Sequence, residues 1–154
     1  MTLQTYLFRI GCALVFGILI GIERQIRKRN AGLVTNTLVA VGACTFILIS
    51  ETVITDSIQG GGMVNNDNLR VLSQVVTGIG FLGAGVILKD GISIHGLNSA
   101  ATLWCSAAVG CLCGYGLWQQ ALISAGAILF ANWVLKFVER KMEERHPRKD
   151  KNQA

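Results

Sequence analysis

Charged residues are scarce. Asp, Glu, Lys and Arg make up 15% of the 154 residues, against about 25% in ordinary soluble domains. With 51% of the chain hydrophobic, that scarcity excludes disorder, which needs high charge and low hydrophobicity. There is one proline, Pro147, and there are two histidines, His95 and His146. No Ser-His-Asp set, H-E-x-x-H pair or P-loop appears, so no enzymatic activity and no cofactor are expected. Carboxylates do not cluster, so nothing suggests an oxygen cage for magnesium or calcium. Glycine, by contrast, is abundant: 18 residues, about 12% where about 7% is usual.

The apolar residues come in long blocks with the charge at their ends. A transmembrane helix needs about 20 mostly apolar residues. Five blocks fit, at about 3–22, 35–54, 71–88, 98–115 and 117–138. The last two are divided only by Gly114, Tyr115 and Gly116, which makes a tight helical hairpin. One continuous helix there would be about twice the bilayer core. Residues 1–22 lack a basic start and a small-x-small cleavage site, so they are expected to stay as a first helix. In a five-helix threading, 12 of the 14 Lys and Arg residues fall on one side, and only Arg9 and Arg70 fall on the other. The positive-inside rule puts the N-terminus outside and the charged tail, 139–154, in the cytoplasm. The net charge of +5 is thus a topology signal, not a nucleic-acid surface. Tyr115, Trp118 and Trp133 fit interfacial belts.

Residues 78–83 spell Gly-Ile-Gly-Phe-Leu-Gly, a match to G-x-G-x-x-G. The dinucleotide reading needs a preceding strand and an acid about 20 residues on, and both are missing. Small residues let helices approach closely in lipid. Gly78 and Gly85 share one face of the third block while Gly80 and Gly83 point to another, so this helix is expected to be packed on both sides and central. Gly17 and Gly21, and Gly110 and Gly114, form further small-xxx-small pairs. The five cysteines lie inside apolar blocks and read as packed thiols. Asn98, Thr102, Cys105, Ser106 and Val109 share one side of the fourth block. Asn98 or Ser99 caps that helix, or Asn98 makes a polar contact in the bundle or with a partner. Glu23 and Arg24 read as an interfacial ion pair. Arg9 either snorkels or pairs with Glu51 or Asp67. Asp67 is expected to cap the third helix.

Longer signatures carry more information. They are Gly21-Ile22-Glu23-Arg24-Gln25, Ala31-Gly32-Leu33-Val34-Thr35-Asn36, Arg70 with the run Gln74 to Gly85, and Gly96-Leu97-Asn98-Ser99-Ala100-Ala101-Thr102-Leu103-Trp104. In these the chain resembles the MgtC/SapB family of bacterial inner-membrane proteins over about residues 3–138. The resemblance implies a five-helix bundle in the inner membrane, a link to growth at low magnesium, and survival inside macrophages. It also implies binding to the membrane part of the F-type ATP synthase. Glu23, Arg24, Asp67, Arg70, Gln74 and Asn98 are the polar positions it marks as functional. Two departures stand out: Val34 replaces a frequent arginine, and Asn68-Leu69 follow Asp67 where the family often has Pro-x. Many members also carry a soluble, ACT-like C-terminal domain. The stretch Glu139 to Ala154 is too short to build one, so no function of that domain is expected.

Two functions are carried forward. The first is a non-enzymatic regulator working through helix–helix contacts, with a homo-oligomer left open. The second is an ion (magnesium or proton) or small-solute transporter, which commonly needs an intramembrane carboxylate or a broken helix. Both require a lipid bilayer. The chain is expected to fractionate with membranes and to need detergent for extraction. Recovery of folded chain in plain buffer would refute this.

Overall fold

The computed structural model describes residues 1–59 and 68–135. Its elements are α1 (Leu3–Ile26), α2 (Leu33–Gln59), α3 (Asn68–Val86), β1 (Leu88–Asp90), β2 (Ser93–His95), α4 (Leu97–Gly114) and α5 (Trp118–Phe130). A π-helical stretch, Ala131–Leu135, continues α5. Asp67 and the tail lie outside the described residues. Among the described residues, four helices (α1 to α4) are long and apolar enough to cross a membrane, and the chain is a multi-pass membrane protein. As an α-helix, α5 covers 13 residues, about 20 Å. The expected fifth span, to Val138, runs beyond the described residues.

The helices overrun the apolar blocks by about a turn. α1 continues through Glu23 and Arg24 because charge does not break a helix. It ends where Arg27 caps it, and Lys28 then takes a positive φ of 52°. The segment between α3 and α4, which the apolar blocks leave only as a connection, is a β-hairpin. Leu88 faces His95, Lys89 faces Ile94 and Asp90 faces Ser93. Gly91, with φ 58°, opens the two-residue turn, the place where a II′ turn takes glycine.

The expectation of a central third helix is overturned. α4 is the central helix and packs on α1, α2, α3 and α5. α3 lies at the edge, held mainly by α4. A methyl added at Gly78, Gly80 or Gly85 would meet nothing within 4 Å, and at Gly83 only Ala100 Cβ at 3.6 Å. The close approaches belong to the other two glycine pairs. A methyl at Gly17 would lie 2.8 Å from Thr37 Cα, and one at Gly21 2.7 Å from Leu33 Cα. On the opposite flank, methyls at Gly110 and Gly114 would collide with the Ala40 carbonyl oxygen and with Ile47 Cβ. The α2 backbone is therefore wedged between a glycine pair of α1 and a glycine pair of α4. Glycine content shows where backbones can approach, but only the packing shows which ones do.

The core has two clusters of mostly small side chains. One joins Ala13, Phe16 and Ile20 to Cys44, Leu48, Val109 and Cys113, and the other joins Ala43 and Ile47 to Ile79, Ala107 and Cys111. All five cysteines are free thiols. At one end of the bundle Arg9 forms an ion pair with Glu51 and donates to the Gly114 carbonyl at 2.8 Å. It thus ties α1 to α2 and to the C-terminus of α4, where a cation is favoured. Of the two readings for Arg9, pairing is realised. Gly110→Ala is expected to destabilise the protein by about 1–3 kcal/mol through overpacking, whereas Gly80→Ala should be neutral or slightly stabilising. Thermal unfolding in detergent, followed by circular dichroism, checks the contrast.

Candidate functional site

Ala13, Phe16, Gly17, Ile20, Gly21 and Arg24 form one buried stripe of α1. Helical spacing thus carries Arg24 to the inside, where it is 1% exposed. A buried guanidinium needs acceptors. Arg24 Nη1 donates to Asn98 Oδ1 at 2.6 Å and Nη2 donates to Ser99 Oγ at 3.2 Å. Both acceptors lie in the first turn of α4. Neither caps that helix, contrary to one of the two expectations for Asn98. The N-cap is Gly96, in a left-handed conformation at φ 89° with no side-chain cap bond. A side chain there would overlap the Val86 carbonyl. Asn98 is exposed apart from this contact. The buried arginine therefore holds the amide oxygen and sets the direction of the amide nitrogen.

Glu23 and Arg24 do not pair with each other through a salt bridge. The partner of Glu23 is Arg27, with Nε 2.7 Å from Oε1, one helical turn on. Arg27 Nη1 also donates to the Asn132 carbonyl at 3.3 Å, which ties the end of α1 to the π-helical stretch. Adjacent residues have opposite fates because they lie about 100° apart around the helix.

A residue not singled out from the sequence lies at the centre of the neighbouring polar contacts. Asn36 is fully buried. Its Nδ2 donates to the carbonyls of Ala31 at 3.1 Å and Gly32 at 2.8 Å, and its Oδ1 accepts from Ser106 Oγ at 2.8 Å. Thr102 Oγ1 donates to the Asn98 carbonyl at 2.8 Å. The polar side of α4 read from the sequence thus faces into the bundle, where Ser99, Thr102 and Ser106 are buried. An amide in the first turn of an apolar block was the available signal for Asn36.

The remaining predicted residues lie on α3, away from Arg24. Arg70 and Gln74 are exposed. They stand toward the end of α3 opposite Val86, the residue that abuts Gly96. Gln74 and Gly78 line a cleft of about 640 Å³ between α2 and α3, with Thr35, Leu38, Gly42 and Phe46 on the α2 wall and Ala107 of α4 at its floor. The predicted set therefore divides in two. Arg24 and Asn98 are joined with Glu23 alongside, and Arg70 and Gln74 form a separate α3 group. Among the described residues, no three His, Cys, Asp or Glu side chains converge as a metal site would require.

Removing the Asn98 side chain would leave the Arg24 guanidinium short of an acceptor. Asn98→Ala is expected to cost about 1.5–3 kcal/mol, the range for a hydrogen bond to a charged group. Asn98→Asp keeps an acceptor oxygen and should lose much less. Denaturation of the three proteins in one detergent checks the ranking.

The family model described as the MgtC family matches residues 10–141. The uncharacterized protein slr0014 of Synechocystis sp. is 50% identical over 132 residues, which is 84% of this chain and 52% of that protein. Protein MgtC of Salmonella typhimurium is 46% identical over 144 residues, 94% of this chain and 58% of that protein. Protein MgtC of Brucella abortus is 51% identical over 131 residues, 85% and 51% of the two chains. The chain spans about half the length of these curated relatives. No solved structure matches. The family model covers most of the chain, including the Arg24–Asn98 contact, the buried Asn36 and the α3 cleft, and the chain belongs to the MgtC family.

Proposed function

We propose that this protein is a non-enzymatic regulator of the bacterial inner membrane, acting by lateral contact with the membrane sector of the F-type ATP synthase. In this reading it serves growth at low magnesium and survival inside macrophages. α5 completes a fifth crossing, the N-terminus is outside, and the C-terminus is cytoplasmic.

The observation that carries the reading is the open cleft between α2 and α3. Gly42 and Gly78 both leave space there that a methyl group would not fill. A partner helix could therefore come close to either backbone, which is how small residues act in lipid. Gln74 adds an amide to a largely apolar wall, and an amide in hydrocarbon calls for a hydrogen-bonding partner. Arg70, in the first turn of α3, would engage the partner's polar end, together with Asp67 three positions before it in the sequence. Gly85, on the same face of α3 as Gly78, would serve the same helix. Glu23, Arg24 and Asn98 hold the other end of the bundle in shape.

The expected outcome is that tagged chain co-purifies with the synthase and slows ATP-driven proton pumping in vesicles when in excess. Gln74→Leu should weaken capture about threefold to tenfold, the worth of one interhelical hydrogen bond in a membrane. Gly78→Ile should abolish it by filling the cleft. Unchanged pumping with the protein in excess would count against the reading.

A second reading, an ion or small-solute carrier, draws on the buried polar groups Arg24, Ser99, Thr102, Ser106 and Asn36. Magnesium or proton flux in liposomes that is lost in Glu23→Gln would favour it.

A further inference from the structure

Every residue of both hairpin strands is exposed, so no described element covers β1 or β2. The two faces of the hairpin differ. Residues opposed across an antiparallel pair point to the same side. Lys89 and Ile94 therefore share one face, while Asp90, Ser93 and His95 share the other with Leu88. Ile92, in the turn, is fully exposed, and Ile94 is 54% exposed. Leu88 is the one apolar residue on the polar face, and it lies at the base, two positions after α3 ends. The hairpin thus presents two bare isoleucines with a lysine, and turns hydrogen-bonding groups the other way.

Its position says what meets those isoleucines. α3 has 19 residues and α4 has 18, about 27–28 Å each, nearly the thickness of the hydrocarbon core. The hairpin therefore begins where hydrocarbon ends. Gly96 fits against the Val86 carbonyl so closely that a Cβ would overlap it, which leaves no slack to carry the hairpin away from the two helix ends. Three-residue strands reach about 10 Å, and the headgroup layer is about 5–8 Å deep on each side. Standing upright, the hairpin would push Ile92 into water. Lying along the layer, it keeps Ile92 and Ile94 at the acyl boundary, continuous with the lipid-facing surface of the helices, and lets Asp90, Ser93 and His95 face water. Lys89 suits this surface too. Lysine is depleted at protein interfaces, whereas at a bilayer surface its stem lies on apolar groups and its ammonium meets lipid phosphate.

We propose that the β1–β2 hairpin is an interfacial anchor, which dips Ile92 and Ile94 into the edge of the bilayer and sets Lys89 on the headgroups of anionic phospholipid. The anchor does not depend on the protein partner proposed above.

The test uses the full chain in vesicles of phosphatidylglycerol or of phosphatidylcholine. Cys12→Ala and Cys105→Ala remove the two half-buried thiols and leave three buried ones. Single cysteines then replace Asp90, Ile92, Ser93 or Ile94, all exposed, and carry nitroxide labels. Collision with oxygen against a water-soluble nickel chelate reads the depth of each. In phosphatidylglycerol, labels at 92 and 94 are expected about 5–10 Å below the headgroup boundary, and those at 90 and 93 in water. Lys89→Gln should raise the water-exposed fraction of the label at 94 about fivefold in phosphatidylglycerol, the worth of one lysine at an anionic surface, and leave it unchanged in phosphatidylcholine. Four labels all in water, or all in lipid, would overturn the anchor. An equal effect of Lys89→Gln in both lipids, or none in either, would overturn the assignment to anionic headgroups.

Discussion

The packing depends on one geometric constraint, the contact of the α2 backbone with α1 on one flank and α4 on the other, without side chains in between. In lipid, apolar side chains gain little by touching one another instead of acyl chains, so helices need close van der Waals contact or shared hydrogen bonds to stay together. Gly17 and Gly21 supply one flank and Gly110 and Gly114 the other. At that separation short side chains reach across. Ser106 on α4 meets Asn36 on α2, and the first turn of α4 comes within reach of Arg24 on α1.

The polar groups follow from the same closeness. At one end, Arg9 joins Glu51 and the last carbonyl of α4. About 22 Å along α1, at 1.5 Å per residue, Arg24 joins the first turn of α4. A single helix thus carries a cation to each end of its neighbour. The threonines of α2 turn back on their own helix, with Thr37, Thr45 and Thr52 donating to carbonyls four residues earlier. They occupy polar capacity without requiring a partner. Such bonds let an apolar helix carry hydroxyls at little cost.

Much of this was legible in the chain, and what was not has identifiable physical causes. Apolar block length located the four membrane helices, because no other structure buries so many consecutive apolar residues with their backbones satisfied. The glycine pairs at 17/21 and 110/114 were legible, whereas those of α3 misled. Spacing reports a face, not its neighbour, and the α3 glycines have no close neighbour in this chain. The Asp90-Gly91 pair is a turn signal that block length alone does not use. Asn98 stood out as a polar residue in an apolar block, but its contact with Arg24 spans 74 positions, and no local pattern encodes that. Pairing of Glu23 with Arg27 was available from the i, i+4 rule. Sequence adjacency favoured Arg24, although neighbouring residues on a helix face apart.

The meeting of Val86 with Gly96 has a mechanical consequence. α3 is braced there against the residue that begins α4, while farther along it stands off from α2 across the cleft. A force spreading α3 from α2 would be levered through that brace into the opening turn of α4. The same turn carries the two oxygen atoms that the Arg24 guanidinium grips. The brace on α3 and the arginine clamp on α1 therefore meet in one turn of α4, and that turn fixes the position of both neighbours.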